Sequence, residues 1–177
     1  MIKKLFYNNF KKELAVYADS SWKDGTAAFS YTDTHSKTFY VSNLFNCDSS
    51  VSAECYGAYC AIIHGIKTAT MYNYNTITVY TDLLKLESLN NDKKNKMYKK
   101  ENIVNNILKH IELHLSLYNS DLNFKIIYIN HKKEPHLRLV DLLAYRQLKG
   151  IVIDKYKKDV FKELSHWKIH YVTFETF

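Results

Sequence analysis

From Glu13 onward the chain alternates between short apolar runs and polar breaks. Glu13 to Asp19 (ELAVYAD) is nearly continuous in apolar residues until Asp19, and Ser20 and Ser21 follow. That pattern predicts a buried first strand ending at or near Asp19. Thr26 to Thr32 alternates moderately and predicts a second strand, with Asp24-Gly25 as the turn before it. Lys37 to Leu44 is rich in β-branched and aromatic residues and predicts a third, after the turn Asp33 to Ser36. Three strands joined by short turns imply an antiparallel meander. The period then changes. A helix is expected from about Ala53 to Tyr72, capped by Ser50 or Ser52, with Ala53, Gly57, Ala61 and Ala69 small enough to lie close to a sheet. Thr76 to Thr81 (TITVYT) reads as a strand ending on Asp82. A helix between two strands suggests a parallel crossover.

Beyond Asp82 the pattern gives a short helix over Leu83 to Asn90 and a lysine-rich stretch over residues 91–102. An amphipathic helix follows, with Ile103, Ile107, Leu108, Ile111, Leu115 and Tyr118 at helical spacing. Phe124 to Ile129 is a fifth strand, and Leu137 to Leu148 is a helix stopped at Gly150. A helix over Asp154 to Leu164 and a strand-like tail over Trp167 to Phe177 complete the chain. Residues 1–12 are basic with scattered aromatics and read as a short edge strand or a loose arm. The fold class is α/β, and 177 residues suit one domain.

Composition narrows the setting. The formal charge of +7 fits a polyanionic partner such as nucleic acid. It equally fits a chain merely rich in Lys, Asn, Ile and Tyr. Cys47, Cys55 and Cys60 are odd in number and form no CxxC pair, which argues for a reducing compartment and against a disulfide framework or a zinc site. No signal peptide or membrane span is read, so a soluble cytoplasmic protein is expected.

The candidate chemistry is a set of four acids, each at the edge of an apolar element: Asp19, Glu54 in SAECYGAYCAI, Asp82 in VYTDLL and Asp141 in RLVDLLAY. A carboxylate buried at a strand end is costly unless it is paired or holds a metal. Each acid has a plainer explanation. Glu54 could be an acid favoured at a helix N-terminus, Asp82 an N-cap, and Asp141 a first-turn acid. Asp24, Asp33, Asp48 and Glu87 read as turn or surface residues, as do the histidines His35, His110, His114, His136, His166 and His170.

Over residues 13–149 the chain resembles the type 1 branch of the ribonuclease H family, in element order and in these acids. The closing motif carries the resemblance furthest: His131 stands ten positions before Asp141, which is followed by Leu143 and Ala144. The resemblance implies a five-stranded mixed sheet flanked by helices, with residues 151–177 as a helix-plus-strand extension. It implies that Asp19, Glu54, Asp82 and Asp141 bind two Mg²⁺ ions, Mn²⁺ being the alternative. His131 would act at the rim in proton transfer or product release. The implied activity is endonucleolytic hydrolysis of the RNA strand of RNA–DNA hybrids, leaving 5′-phosphate and 3′-hydroxyl ends. Ser21, Ser49, Ser50 and Ser52 would meet the substrate, and Lys93, Lys94, Lys96, Lys99 and Lys100 would grip phosphates as a basic protrusion.

Two departures bear on substrate choice. Val51 stands where the family often has an amide side chain, and Ser20 replaces the usual Gly after the first acid. The rival readings are a structure-selective nuclease on DNA or double-stranded RNA, and a non-catalytic nucleic-acid-binding domain of the same fold. A proofreading-type exonuclease fits poorly, because it needs an acid where Ser21 stands. The apolar extension, with Phe161, Trp167, Ile169, Tyr171, Val172, Phe174 and Phe177, either packs on the same domain or forms a homodimer.

Overall fold

The first hairpin shows how local sequence sets the architecture. Strand β1 (Glu13–Lys23) and strand β2 (Thr26–Asp33) pair antiparallel from Val16↔Asp33 to Lys23↔Thr26. Asp24 and Gly25 join them, both with positive φ (50° and 82°). A two-residue turn of that hand matches the twist of the strands, and Asp-Gly tolerates it well. Strand β3 (Thr38–Ser42) follows, then a two-residue strand β4 (Phe45–Asn46) against β2, which periodicity did not reveal. The computed structural model describes residues 12–82, 102–118, 121–130, 133–150 and 166–176. Residues 1–11, the helices expected over Leu83–Asn90 and Asp154–Leu164, the five loop lysines and His131 lie outside the described residues.

Helix α1 (Ser50–Tyr72) leads to strand β5 (Thr76–Thr81), which pairs parallel with β1 as the crossover pattern implied. Its N-cap is Ser49 rather than Ser50 or Ser52; the Ser49 hydroxyl accepts from the Ser52 amide at 3.1 Å. Asn73 ends the helix in the left-handed region (φ 58°). Helix α2 (Asn102–Tyr118), strand β6 (Asn123–Tyr128), helix α3 (Pro135–Leu148) and strand β7 (Lys168–Val172) complete the described elements. The sheet order is β6-β5-β1-β2-β3-β7, with β4 beside β2. The expected mixed sheet is therefore present and enlarged to seven strands. The extension supplies β7, paired parallel to β3 from Thr38↔Lys168 to Ser42↔Val172.

The sheet is covered on both faces. Leu14, Val16 and Ala18 of β1 join a core with α1, α2 and the inward side chains of β2 and β5. Tyr17 points the other way, into a second core with Phe39, Val41 and the α3 residues Leu137, Leu139, Val140 and Leu143. Burial of both faces explains why β1 reads as a continuous apolar run. Helix α1 meets the sheet through Ala53, Gly57, Ala61, Gly65 and Ala69, one residue every fourth position, all buried. A Cβ at Gly65 would lie 3.1 Å from Val16 Cγ2 and 3.3 Å from Ile77 Cγ2. Small residues let the helix sit this close.

Two expectations fail against this frame. Asp19 does not end a strand; β1 continues to Lys23. What ends near it is the parallel ladder to β5, last paired at Tyr17↔Tyr80, while the antiparallel ladder to β2 runs on. Asp33 is no surface turn residue. It is fully buried and accepts hydrogen bonds from the His35 and Ser36 amides and from the Ser36 hydroxyl, with His64 Nε2 at 2.6 Å. It closes the β2–β3 turn from beneath.

Candidate active site

Three elements bring three carboxylates together. The β1–β5 register, carried two residues past Tyr17↔Tyr80, puts Asp19 level with Asp82. Adjacent strands lie about 4.8 Å apart, so the two acids are neighbours by construction. Glu54 comes from the second turn of α1. Its height follows from Gly57, whose added Cβ would stand 3.0 Å from Phe29 Cβ and 3.6 Å from the Asp19 carbonyl oxygen. Asp19, Glu54 and Asp82 each offer an oxygen, all within 4.8 Å of one another. Neither Glu54 nor Asp141 is a first-turn acid, since α1 begins at Ser50 and α3 at Pro135. The plainer accounts of these two acids, as residues favoured by a helix N-terminus, therefore lapse.

The electrostatics are those of an acid cluster awaiting positive charge. Asp19 is 3% exposed. Burial raises its carboxyl well above the usual range, and the charges of Glu54, Asp82 and Asp141 add to the shift. Burial likewise pushes Glu54 up to about 8, with Asp82 contributing. One Asp19 oxygen accepts from the Ser20 amide at 2.7 Å, while its buried Oδ2 has no hydrogen-bond partner. An unsatisfied buried carboxylate oxygen beside two further acids fits a divalent cation, and an all-oxygen donor set suits a hard ion. Asp141 lies near enough on α3 to act on Asp19 through its charge, but it is not part of the three-carboxylate group.

The remaining candidates divide. Ser49 and Ser52 face each other, Oγ to Oγ at 2.9 Å, and Ser52 is buried in the cap of α1. Ser50 is exposed and Ser21 partly so. Two histidines expected at the surface are engaged. His35 Nδ1 lies 2.9 Å from the Tyr74 hydroxyl. His136 is only partly exposed, stacked on Tyr17 with ring centroids 4.6 Å apart and Nδ1 2.9 Å from Glu134 Oε1.

Comparison with solved structures agrees with this architecture. RNase H1 from the halophilic archaeon Halobacterium salinarum NRC-1 superposes with a TM-score of 0.55 at 13% identity, covering 78% of this chain and 98% of that one. An N-terminal RNase H domain from Mycobacterium tuberculosis, solved as a fusion with maltose-binding protein, gives 0.56 at 12% identity, covering 78% and 95%. LC11-RNase H1 in complex with an RNA/DNA hybrid gives 0.56 at 16% identity, covering 77% and 97%. No protein-family model matches the chain, and no curated protein matches it significantly. The fold is ribonuclease H-like, and it carries an acidic triad able to hold a metal. Among the described residues, no helix is long and apolar enough to cross a membrane.

Proposed function

We propose that this protein is a divalent-metal-dependent endonuclease that hydrolyses the RNA strand of RNA–DNA hybrids. The observation that carries the reading is the triad itself: Asp19, Glu54 and Asp82 clustered on a ribonuclease H-like fold, with a buried Asp19 oxygen left unsatisfied. Asp19 and Asp82 with Glu54 would hold one Mg²⁺, and Asp19 with Asp141 a second, Mn²⁺ being the substitute. When bound, such ions activate a water and neutralise charge on the leaving oxygen, giving 5′-phosphate and 3′-hydroxyl ends. The protein's own contribution is placement. β1 and β5 fix two acids in register, α1 lowers Glu54 onto them, and the Ser20 amide orients Asp19. His131, ten positions before Asp141, is the proposed rim residue for proton transfer or product release.

Ser50 and the edge of Ser49, at the start of α1, are the proposed contacts to the substrate's 2′-hydroxyls, together with the partly exposed Ser21 of β1. Lys93, Lys94, Lys96, Lys99 and Lys100 would supply the salt-sensitive grip on phosphates, in keeping with the charge of +7. A structure-selective nuclease on DNA or double-stranded RNA is the second reading. Val51 favours it, because this residue packs against the apolar core and offers no amide to a ribose. We read residues 1–150 as the catalytic domain, with its core over 13–149, and 151–177 as an extension of the same domain. The use of Lys168–Val172 at the edge of its own sheet supports that over dimerisation. Three free cysteines fit a reducing compartment, and the cytoplasm is the proposed location.

The test is cleavage of one labelled strand in four matched duplexes: RNA–DNA hybrid, DNA–DNA, RNA–RNA, and DNA with a single ribonucleotide. Mg²⁺ and Mn²⁺ are run separately, with Asp82→Asn as control. Cutting confined to the hybrid's RNA strand, lost in Asp82→Asn, is the expected result. Cutting of another duplex moves the protein to the second reading. Binding without cutting by the wild type makes it a non-catalytic nucleic-acid-binding domain.

A further inference from the structure

Beneath the acids lies a second layer that joins the same elements. Tyr17 and Tyr80 are partners in the β1–β5 ladder, and their rings stack with centroids 5.0 Å apart and planes 15° apart. Each stands two residues before an acid; Tyr17 and Asp19 share one face of β1 about 7 Å apart, and Asp82 follows directly on the end of β5. His136 of α3 stacks on Tyr17 at 4.6 Å and 12°. It precedes Asp141 by five residues, a little over one helical turn. One ring thus comes from each of β5, β1 and α3; β1 and α3 carry Asp19 and Asp141, and Asp82 immediately follows β5. Glu134 holds the imidazole by one oxygen and accepts from the Leu137 amide with the other at 2.7 Å, so the same carboxylate caps α3. Trp167 of the C-terminal extension packs on His136 at 5.2 Å and on Phe39 at 5.3 Å.

We propose that this Tyr80–Tyr17–His136 stack, closed by Trp167, is a positioning device that sets Asp141 against Asp19 and Asp82. The proposal rests on reading those acids as a divalent-metal site. Stacked rings resist sliding of one element over another, and the Glu134 contact fixes the rotation of the imidazole. Carboxylates that share an ion tolerate little displacement; a shift of about 1 Å at a catalytic constellation can cost roughly a hundredfold in rate. His136 is on this account a positioning residue, and the extension becomes part of the site's support.

The experiment uses the full chain with Mn²⁺ alone as the probe. Binding is followed by electron paramagnetic resonance, and Asp19→Asn establishes which binding belongs to the acids. His136→Ala, compared at a temperature where circular dichroism shows it folded, is expected to weaken Mn²⁺ binding about 10- to 100-fold, in the range seen when residues that orient metal ligands are removed. With hybrid substrate, kcat falls in step while KM stays within about twofold. His136→Phe, which keeps the stack and loses the imidazole, restores most of both. Mn²⁺ affinity equal to wild type in folded His136→Ala overturns the proposal. So does a His136→Phe variant as weak as His136→Ala, since the effect would then belong to the imidazole's bond with Glu134. If His136→Ala does not fold, Trp167→Ala takes its place, with the same loss expected and unchanged Mn²⁺ affinity overturning it. A wild type that binds no Mn²⁺ at the acids removes the metal site and this device together. One that binds Mn²⁺ yet cuts nothing removes only the nuclease reading, and the Mn²⁺ comparison still decides the stack.

Discussion

Two buried aspartates show how much hydrogen-bond donors decide. Asp19 and Asp33 are both on the first hairpin and both almost fully buried. Burial raises Asp19, and the neighbouring acids raise it further, against a single amide hydrogen bond. Burial also pushes Asp33 up, but the bonds from His64 and from the Ser36 amide and hydroxyl outweigh it, so its carboxyl stays below the usual value of 3.8. The first acid is left short of positive charge; the second is already satisfied and structural. A depressed carboxylate stabilises the fold above its unfolded pKa, and that contribution is lost as pH falls through the lower folded value. Asp33→Asn is therefore expected to destabilise the protein by about 1–3 kcal/mol at pH 6. The gap between variant and wild type should begin to narrow as pH falls through the ordinary carboxylate range and close only below the lower folded value, where wild-type Asp33 is protonated too. Melting temperatures from pH 6 to pH 2.5 measure this, and a gap that persists in acid would contradict it.

At the scale of elements, the site depends on how closely α1 approaches the sheet. Gly57 lies one turn beyond Ala53 and three residues beyond Glu54, over Phe29 and the Asp19 carbonyl. A helical glycine costs about 1 kcal/mol relative to alanine, so its presence needs a compensating contact, and this approach provides one. Gly57→Val has no room, and overpacking of this kind costs about 1–3 kcal/mol. The expected result is a lower urea midpoint with an unchanged slope. A midpoint at the wild-type value would mean that α1 is not held at this distance. The strand boundaries follow the same logic. Asp19 sits mid-strand because one ladder stops at Tyr17 while the other continues to Lys23. Periodicity along a single chain cannot separate the two neighbours of one strand.

For the whole molecule, residues from the end of the chain, Lys168–Val172 and Phe174, join the sheet and its core. Beyond β7, Phe174 returns across the sheet. Its ring meets Phe29 at 5.0 Å, Phe45 at 4.9 Å and Tyr56 at 5.2 Å, and its amide donates to the Asn43 side chain. β7 also occupies the outer edge of β3, which would otherwise offer unpaired backbone groups. Phe174→Ala should cost about 3–5 kcal/mol, the usual range for a buried phenylalanine, read by equilibrium unfolding. A loss under about 1 kcal/mol would show the ring to be peripheral.

The sequence by itself determined the α/β class, the order of the main elements, the parallel crossover and a set of four candidate acids, three of which the structure clusters. Each of these is written locally, as a period, a turn dipeptide or an acid closing an apolar run. It also showed that residues Trp167 to Phe177 were too apolar to be left in solvent. Only the tertiary structure decided where that tail goes, that Asp33 is buried on His64, that His136 stacks on Tyr17, and that Ser52 is spent on a helix cap. These are pairings between residues far apart in the chain, or choices between equally polar neighbours. Hydrophobic period reports which face of an element is buried, and carries no record of what lies on the other side of the contact.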